Sequence, residues 1–117
     1  MRRLARYSIV ALVTAFAAAA TAQAADLQLP QCHKVNSQVG LIVREAPSSD
    51  ASKVGTLKYG EKVLLSGKPV EGDPLIHSKT TKVGNATWIK IKKPVHGFVL
   101  YSVDDDPAYR YLVPCKD

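Results

Sequence analysis

Two cysteines are the residues of this sequence best suited to covalent chemistry, and two interpretations of them compete. A catalytic cysteine needs a histidine held against it, and His33 directly follows Cys32. Neighbouring residues on a strand point to opposite faces, so this pair would not form a catalytic dyad. If the chain is exported, its even number of cysteines instead favours a disulfide. We therefore expect Cys32 and Cys115 to be bonded, with a nucleophilic cysteine as the alternative.

The histidines and the acidic run offer little further catalytic or metal-binding chemistry. His33, His77 and His96 are scattered without the spacing of a zinc site, and we expect them at the surface or at strand edges. The acidic run at 104–106 lacks the alternating pattern and the distal glutamate of a calcium loop, which favours a solvated turn. The sequence predicts no enzyme, no metal and no cofactor.

A basic and aromatic stretch is the most informative candidate surface. Residues 79–103 contain five lysines and no acidic residue. Strand alternation predicts an outward or rim-facing stripe of Trp88, Lys90 and Lys92, with the isoleucines between them facing the core. Aromatic and cationic side chains together suit glycans, peptides and acidic polymers. The alternative is a solvated strand whose lysines prevent edge-to-edge aggregation, with the tryptophan packed under a loop.

The N-terminus has the order of an export signal. Three arginines come first, an apolar run follows at 9–20, and a small-residue triplet closes the segment at 22–24. Such a run is too short to span a bilayer comfortably, which favours a cleaved signal peptide at 1–24 over an anchor or a core helix. Cleavage between Ala24 and Ala25 would leave the protein in the periplasm or outside the cell, with no membrane span.

Charge argues against nucleic acid as a partner. The sequence has 16 Lys and Arg against 10 Asp and Glu, a net charge of +6. Removing the three arginines of the signal leaves 13 − 10, or +3, on the exported chain. A net charge this small, without a dense basic stripe, is unlike that of a nucleic-acid binder.

The elements that must position these residues are predicted to be strands. Short apolar runs alternate with turn residues at about ten-residue spacing, which predicts an all-β fold of five to seven strands. The predicted runs are 39–44, 54–58, 62–66, 80–83, 86–92, 98–103 and 109–113. Gly84-Asn85 has the composition of a two-residue hairpin turn. Residues 25–33 are predicted to be a flexible lead-in, and the polar stretch 67–83 a long loop.

Four short motifs, in order, resemble a known family. Leu41-Ile42-Val43-Arg44-Glu45-Ala46-Pro47 is similar to the opening "L-N-V-R-x-x-P" of bacterial SH3-like domains, often called SH3b. Residues 54–63 resemble "v-i-g-t-L-k-x-G-x-x-V", residues 88–91 "W-y-k-V", and residues 97–99 "G-W-V". The resemblance covers about 34–103 and departs from the family at Ile42, where the family has Asn. A longer 67–86 segment and a C-terminal extension from 104 also depart from it.

The resemblance implies a small SH3-like barrel over 34–115 and a free-standing, non-enzymatic binding module. Its ligand would be a cell-wall peptide or glycan, or a protein of the envelope. Barrel ends lie close together, which suits the bond between the cysteines. The alternative function is an inhibitor or accessory subunit of a periplasmic or secreted enzyme, acting through the 67–83 loop. The expected ligand-binding residues are Arg44, Glu45, Tyr59, Trp88, Lys90, Lys92 and Tyr101.

Overall fold

The computed structural model of the protein describes residues 22–115, and these form an all-β fold of ten strands. In chain order they are β1 (Gln23–Pro30), β2 (Cys32–Val35), β3 (Leu41–Arg44), β4 (Lys53–Leu57), β5 (Lys62–Leu65), β6 (Gly67–Pro69), β7 (Leu75–Val83), β8 (Ala86–Lys93), β9 (Gly97–Val103) and β10 (Leu112–Pro114). The all-β prediction is confirmed. Most of the predicted signal peptide, residues 1–21, lies outside the described residues.

One sheet contains all ten strands. Its main path runs β10-β2-β5-β8-β9-β3-β4, and β7 pairs with β8 at one end while also pairing with β1 and β6. Every pairing is antiparallel. The turn at Gly84-Asn85 joins β7 to β8, as the sequence predicts, and Gly84 takes a positive φ of 63° there.

The core lies on the inner face of this curved sheet and follows strand alternation. In β8, Ile89 and Ile91 are fully buried, and Val99 of β9 lies opposite Ile89. Val43 of β3 and Leu65 of β5 complete the centre of the same cluster. Successive strand residues point to opposite faces, so burying these positions turns their neighbours outward, where the candidate site is built.

The segment at 25–33 differs from the expected flexible lead-in. Most of it belongs to β1, which pairs with β7 along its whole length, from Gln23 opposite Lys82 to Pro30 opposite Leu75. The Thr80 hydroxyl donates to the Ala25 carbonyl over 3.3 Å. Main-chain pairing to a distant strand orders this segment, and such pairing leaves little signal in the local sequence. The cleavage expected at Ala24 and Ala25 falls inside β1.

The stretch at 67–83 also differs from the expected long loop. It forms β6 and β7, and only 70–74 connects them. Small polar residues hide the alternation, because Ser78 and Thr80 are buried along with Ile76. The Ser78 hydroxyl donates to the Ser66 carbonyl over 3.2 Å, which satisfies this buried group. The predicted run at 80–83 is thus the end of a longer strand, β7, and the strands β1, β2 and β6 raise the count above the expected five to seven.

A disulfide joins the start of β2 to the residue after β10, as the sequence predicts. Cys32 and Cys115 form a disulfide with Cα atoms 5.4 Å apart, and the Cys115 amide donates to the Cys32 carbonyl. The closing strand β10 is shorter than the predicted 109–113, and it pairs with β2. The described part of the chain contains no helix that could cross a membrane.

Candidate functional site: an apolar groove on the outer face

The outer face of β8, β9, β3 and β4 forms the floor of an open groove. Trp88 of β8 lies opposite Leu100 of β9, and Ile42 of β3 lies opposite Thr56 of β4. These four residues occupy outward positions because their strand neighbours fill the core. The groove encloses about 650 Å³, within the range of ligand sites in proteins.

Two turns and one distant tyrosine form the walls. The turn before β3 contributes Val39, whose side chain is 95% exposed, and the turn after β4 contributes Tyr59, which is 55% exposed. Gly40 makes the first turn possible, because its φ is +83° and a Cβ there would collide with the Leu57 carbonyl. Tyr111, from the C-terminal segment, lines the same groove.

The charged side chains that line the groove are all positive. Arg44 and Lys58 line it, and none of the described lining residues carries a carboxylate. Arg44 is fixed in place because its guanidinium donates to the Ala51 carbonyl over 2.8 Å. The groove therefore combines a largely apolar surface with an anchored cation, which suits an apolar ligand that carries a negative charge.

Trp88 faces the side that alternation predicts, but its exposure differs from the expectation. The ring is only 5% exposed, although a stripe open to solvent or at a rim was expected. Trp88 lies apart from the main core cluster and lines the groove, with Leu100 opposite it. A register shift at Thr87 and Trp88 marks the irregularity of β8 here. Trp88 therefore supports the groove from below and exposes little of its own ring.

A comparison with protein families identifies the fold. The model of the bacterial SH3 domain matches residues 39–103, more than half of the chain. The chain belongs to the bacterial SH3 domain family. No curated protein and no solved structure matches it significantly. The small SH3-like β fold expected from the sequence is thereby confirmed.

The groove of this bacterial SH3 domain gathers three of the seven expected site residues. Arg44, Tyr59 and Trp88 line it. Glu45 is exposed in the loop after β3 and does not line it. The other three expected residues, Lys90, Lys92 and Tyr101, also lie outside the lining.

Two of the expected site residues that do not line the groove, Lys90 and Tyr101, make cation–π contacts elsewhere. The Lys90 ammonium lies 5.7 Å from the centre of the Phe98 ring, and the Arg110 guanidinium lies 5.5 Å from the centre of the Tyr101 ring. Both distances fall within the range of cation–π contacts. Lys92 is half-buried on the same outward face of β8 as Lys90.

The C-terminal extension of this bacterial SH3 domain completes the groove, which the sequence reasoning missed. Tyr111 donates its amide to the Tyr101 carbonyl and accepts from the Asn36 amide. Tyr109 stacks edge-on against Tyr111, with ring centres 5.0 Å apart, and its hydroxyl donates to the Asn36 carbonyl over 2.7 Å. Burial raises the pKa of Tyr109, and Tyr111, Tyr59 and Asp106 add to the shift. The only local signal was the tyrosine content of this segment.

His33 differs from the expected surface histidine. It is 0% exposed in β2, opposite Val63 of β5 and Pro114 of β10. Neither ring nitrogen has a hydrogen-bond partner. Burial lowers the pKa of His33, and the nearby backbone of Pro30 and Cys32 only partly opposes this. In the folded protein, burial therefore favours the neutral ring over the protonated ring.

Proposed function

We propose that this bacterial SH3 domain is a non-enzymatic binding module of the cell envelope and that its groove receives a cell-wall peptide. The observation that supports this most is an apolar floor combined with Arg44 and Lys58 and no carboxylate among the described lining residues. An extended peptide offers apolar side chains to such a floor and a carboxylate to such cations.

The same lining supports a peptide over a glycan as the wall ligand. A sugar chain presents many hydroxyls, and each one left without a partner after desolvation costs free energy. The floor of the groove is mainly apolar, and its polar side chains, such as Arg44, Lys58 and Gln38, are too few to pair with the hydroxyls along a whole sugar chain. Trp88 exposes too little of its ring to provide a stacking platform.

The disulfide supports action outside the cytoplasm. Bonds such as Cys32–Cys115 form and persist in the periplasm and in secreted proteins. The predicted signal peptide points to the same compartments. In this proposal the protein works in the periplasm or outside the cell, with wall peptide or an envelope protein as its partner.

Retention on purified peptidoglycan tests the proposal with two exposed valines. Val39 lines the groove, whereas Val54 is 41% exposed on β4 and does not line it. Neither substitution to serine removes a buried side chain, so both variants should fold. We expect V39S to lower retention severalfold and V54S to leave it unchanged. Equal retention of the two variants, or no retention of the unaltered protein at low salt, would contradict the proposal.

For the alternative function, an enzyme inhibitor, the structure leaves a smaller contact segment than the sequence predicts. The segment 67–83 is largely paired strand, so only the 70–74 connection is available as a protruding loop. An inhibitor would contact its enzyme there, and shortening that connection would abolish inhibition while sparing retention on peptidoglycan. No contact of the described residues favours this function over the groove.

A further inference from the structure

A line of cations crosses the outer face of the sheet beside the groove. Pairing register places Lys90 of β8 opposite Phe98 of β9, Phe98 opposite Arg44 of β3, and Arg44 opposite Lys53 of β4. Residues that pair directly point to the same face of a sheet. The short distance from the Lys90 ammonium to the Phe98 ring agrees with this placement.

Lys79 of β7 adds a cation on the next strand. The pair Thr80 and Ile89 is buried, so the next residue of each strand, Lys79 and Lys90, turns outward. The β7–β8 register ends at that pair, and the Lys90 carbonyl accepts from the Ser66 amide, so Lys79 and Lys90 share a face without pairing directly. Four cations and one aromatic ring therefore occupy outward positions on five strands. We call Lys79, Lys90, Phe98, Arg44 and Lys53 the cation row. Four strand spacings make it about 19 Å long.

The charges of the cation row are not neutralised by ion pairs. Lys53, Lys79 and Lys90 are exposed. The ion pair found in the described part of the chain joins Lys82 to Asp104 at 2.8 Å, and none involves the cation row. Unpaired cations aligned in this way create a local positive potential even though the exported chain is predicted to carry only +3.

We infer that the cation row binds a linear polymer of repeating anionic groups. A chain laid across the strands would meet the four cations in turn and pass over the Phe98 ring. A flat anionic membrane is less suited, because exposed carboxylates flank the row. Asp26 lies opposite Lys79 on β1, and Asp50 lies in the loop between Arg44 and Lys53. A membrane surface would contact both carboxylates, whereas a single chain that follows the row meets Asp26 only at its Lys79 end.

This site goes beyond the proposed function. On β8, β9 and β3 the cation row lies two residues along the strand from the groove floor, with Lys90 beyond Trp88 and Phe98 beyond Leu100. Only Arg44 belongs to both. Binding at the row needs neither the valine at 39 nor the tyrosine at 59, so each site can fail without the other.

The first test uses glutamate oligomers of graded length, with glutamine oligomers as the neutral control. About six extended residues span 19 Å. We expect affinity to rise with length up to about six glutamates and then to level off, with no binding of glutamine oligomers. Four contacts should make the slope of log K against log salt about −3. Affinity independent of length would overturn the inference.

Charge-matched triple variants localise the site. K53Q/K79Q/K90Q removes three cations from the row, and K34Q/K62Q/K68Q removes three from β2, β5 and β6. We expect the first to weaken glutamate-oligomer binding at least about tenfold, at a few-fold per exposed contact, and the second to weaken it less than about threefold. Equal losses would show an effect of net charge alone and overturn the inference.

Two further experiments distinguish the polymer site from the groove and from a membrane-binding site. Y59A should lose retention on peptidoglycan and keep binding to glutamate oligomers, because Tyr59 lies outside the row. A parallel loss of both would show a single shared site and overturn the inference. Mixed phosphatidylcholine and phosphatidylglycerol vesicles should bind no better than phosphatidylcholine vesicles. Strong binding to the mixed vesicles without binding to the oligomers would identify a membrane site instead.

Discussion

The groove and the cation row occupy neighbouring positions on the same strands, yet they depend on the fold differently. The groove needs residues far apart in the chain, since Val39 and Tyr59 come from turns and Tyr111 from the C-terminal extension. The cation row uses regular outward positions of strands that the core already fixes. We therefore expect changes to the buried part of the groove, such as Trp88, to affect stability and binding together, and changes to the row to affect binding alone.

The largest effect should come from the tryptophan under the groove. W88A removes a large side chain that is 95% buried, and such truncations cost about 3–5 kcal/mol. K90A, two residues along the same face, removes only an exposed cation–π contact and should change the free energy of unfolding by less than about 1 kcal/mol. Urea unfolding of both variants measures the contrast. Equal costs would break the distinction between groove and row.

Loss of the disulfide should have the next largest effect on stability, and it should weaken binding at the groove more than binding at the cation row. Replacing both cysteines, as C32S/C115S, removes the cross-link that ties β10 and the Tyr111 segment to β2. The expected loss is about 2–4 kcal/mol in the free energy of unfolding. Retention on peptidoglycan should fall, while glutamate-oligomer binding should be spared under conditions where the variant is folded. An unchanged melting temperature would contradict the structural role of the bond.

Two glycines with nearly the same φ test whether close packing constrains the turn before β3. Gly40 and Gly60 have φ of +83° and +82°, but only at Gly40 would a Cβ meet the backbone, at the Leu57 carbonyl. G60A should cost about 1 kcal/mol from the left-handed conformation alone. G40A should cost at least about 2 kcal/mol, because a clash adds to the same strain. Equal costs would show that the close approach at Leu57 does not constrain the turn.

The buried histidine predicts a smaller, pH-dependent effect outside both sites. Burial lowers the folded-state pKa of His33 below its ordinary value of 6.5. The stabilisation from keeping the ring neutral is therefore complete above pH 6.5 and is lost as the pH falls from there toward the folded-state pKa. Melting temperatures should decrease over that window.

Two histidine variants serve as test and control for this dependence. H33L should flatten the acid limb of the stability profile and, by removing an unpartnered buried polar group, should not destabilise the protein at neutral pH. H96Q alters an exposed histidine and should leave the acid limb unchanged. An acid limb that persists in H33L would assign the pH dependence to other groups.

The same contrast explains how much the sequence could predict. Strand β8 and the hairpin turn at Gly84 were predictable, because apolar alternation and turn chemistry are local. Strands β1 and β6 were not, since β1 is ordered by pairing with β7 and β6 contains no buried residue that alternation could reveal. The family motifs contain Arg44, Tyr59 and Trp88, and strand alternation also pointed to Trp88. Tyr111 required the long-range contacts of the C-terminal extension, and the burial of Trp88 required the groove itself.

The neighbours of Lys90 in the cation row likewise could not be predicted from the sequence alone. Lys90 was a candidate from the sequence as part of a stripe along one strand. The structure instead relates it to Arg44 and Lys53, which lie across the sheet on β3 and β4. Alternation predicts which face a side chain occupies, but only strand pairing predicts its neighbours on that face.

The central claim is that the outer-face groove receives a wall peptide, and an NMR titration tests it most directly. Soluble peptide fragments released from peptidoglycan would be added to isotope-labelled protein while backbone amide and tryptophan indole shifts are followed. We expect the largest shifts at Val39, Tyr59 and Tyr111, a smaller one at Trp88, and none at Val54, with V39S needing a severalfold higher peptide concentration to reach the same shifts. Shifts confined to the 70–74 connection, or no shifts at saturating peptide, would contradict the claim.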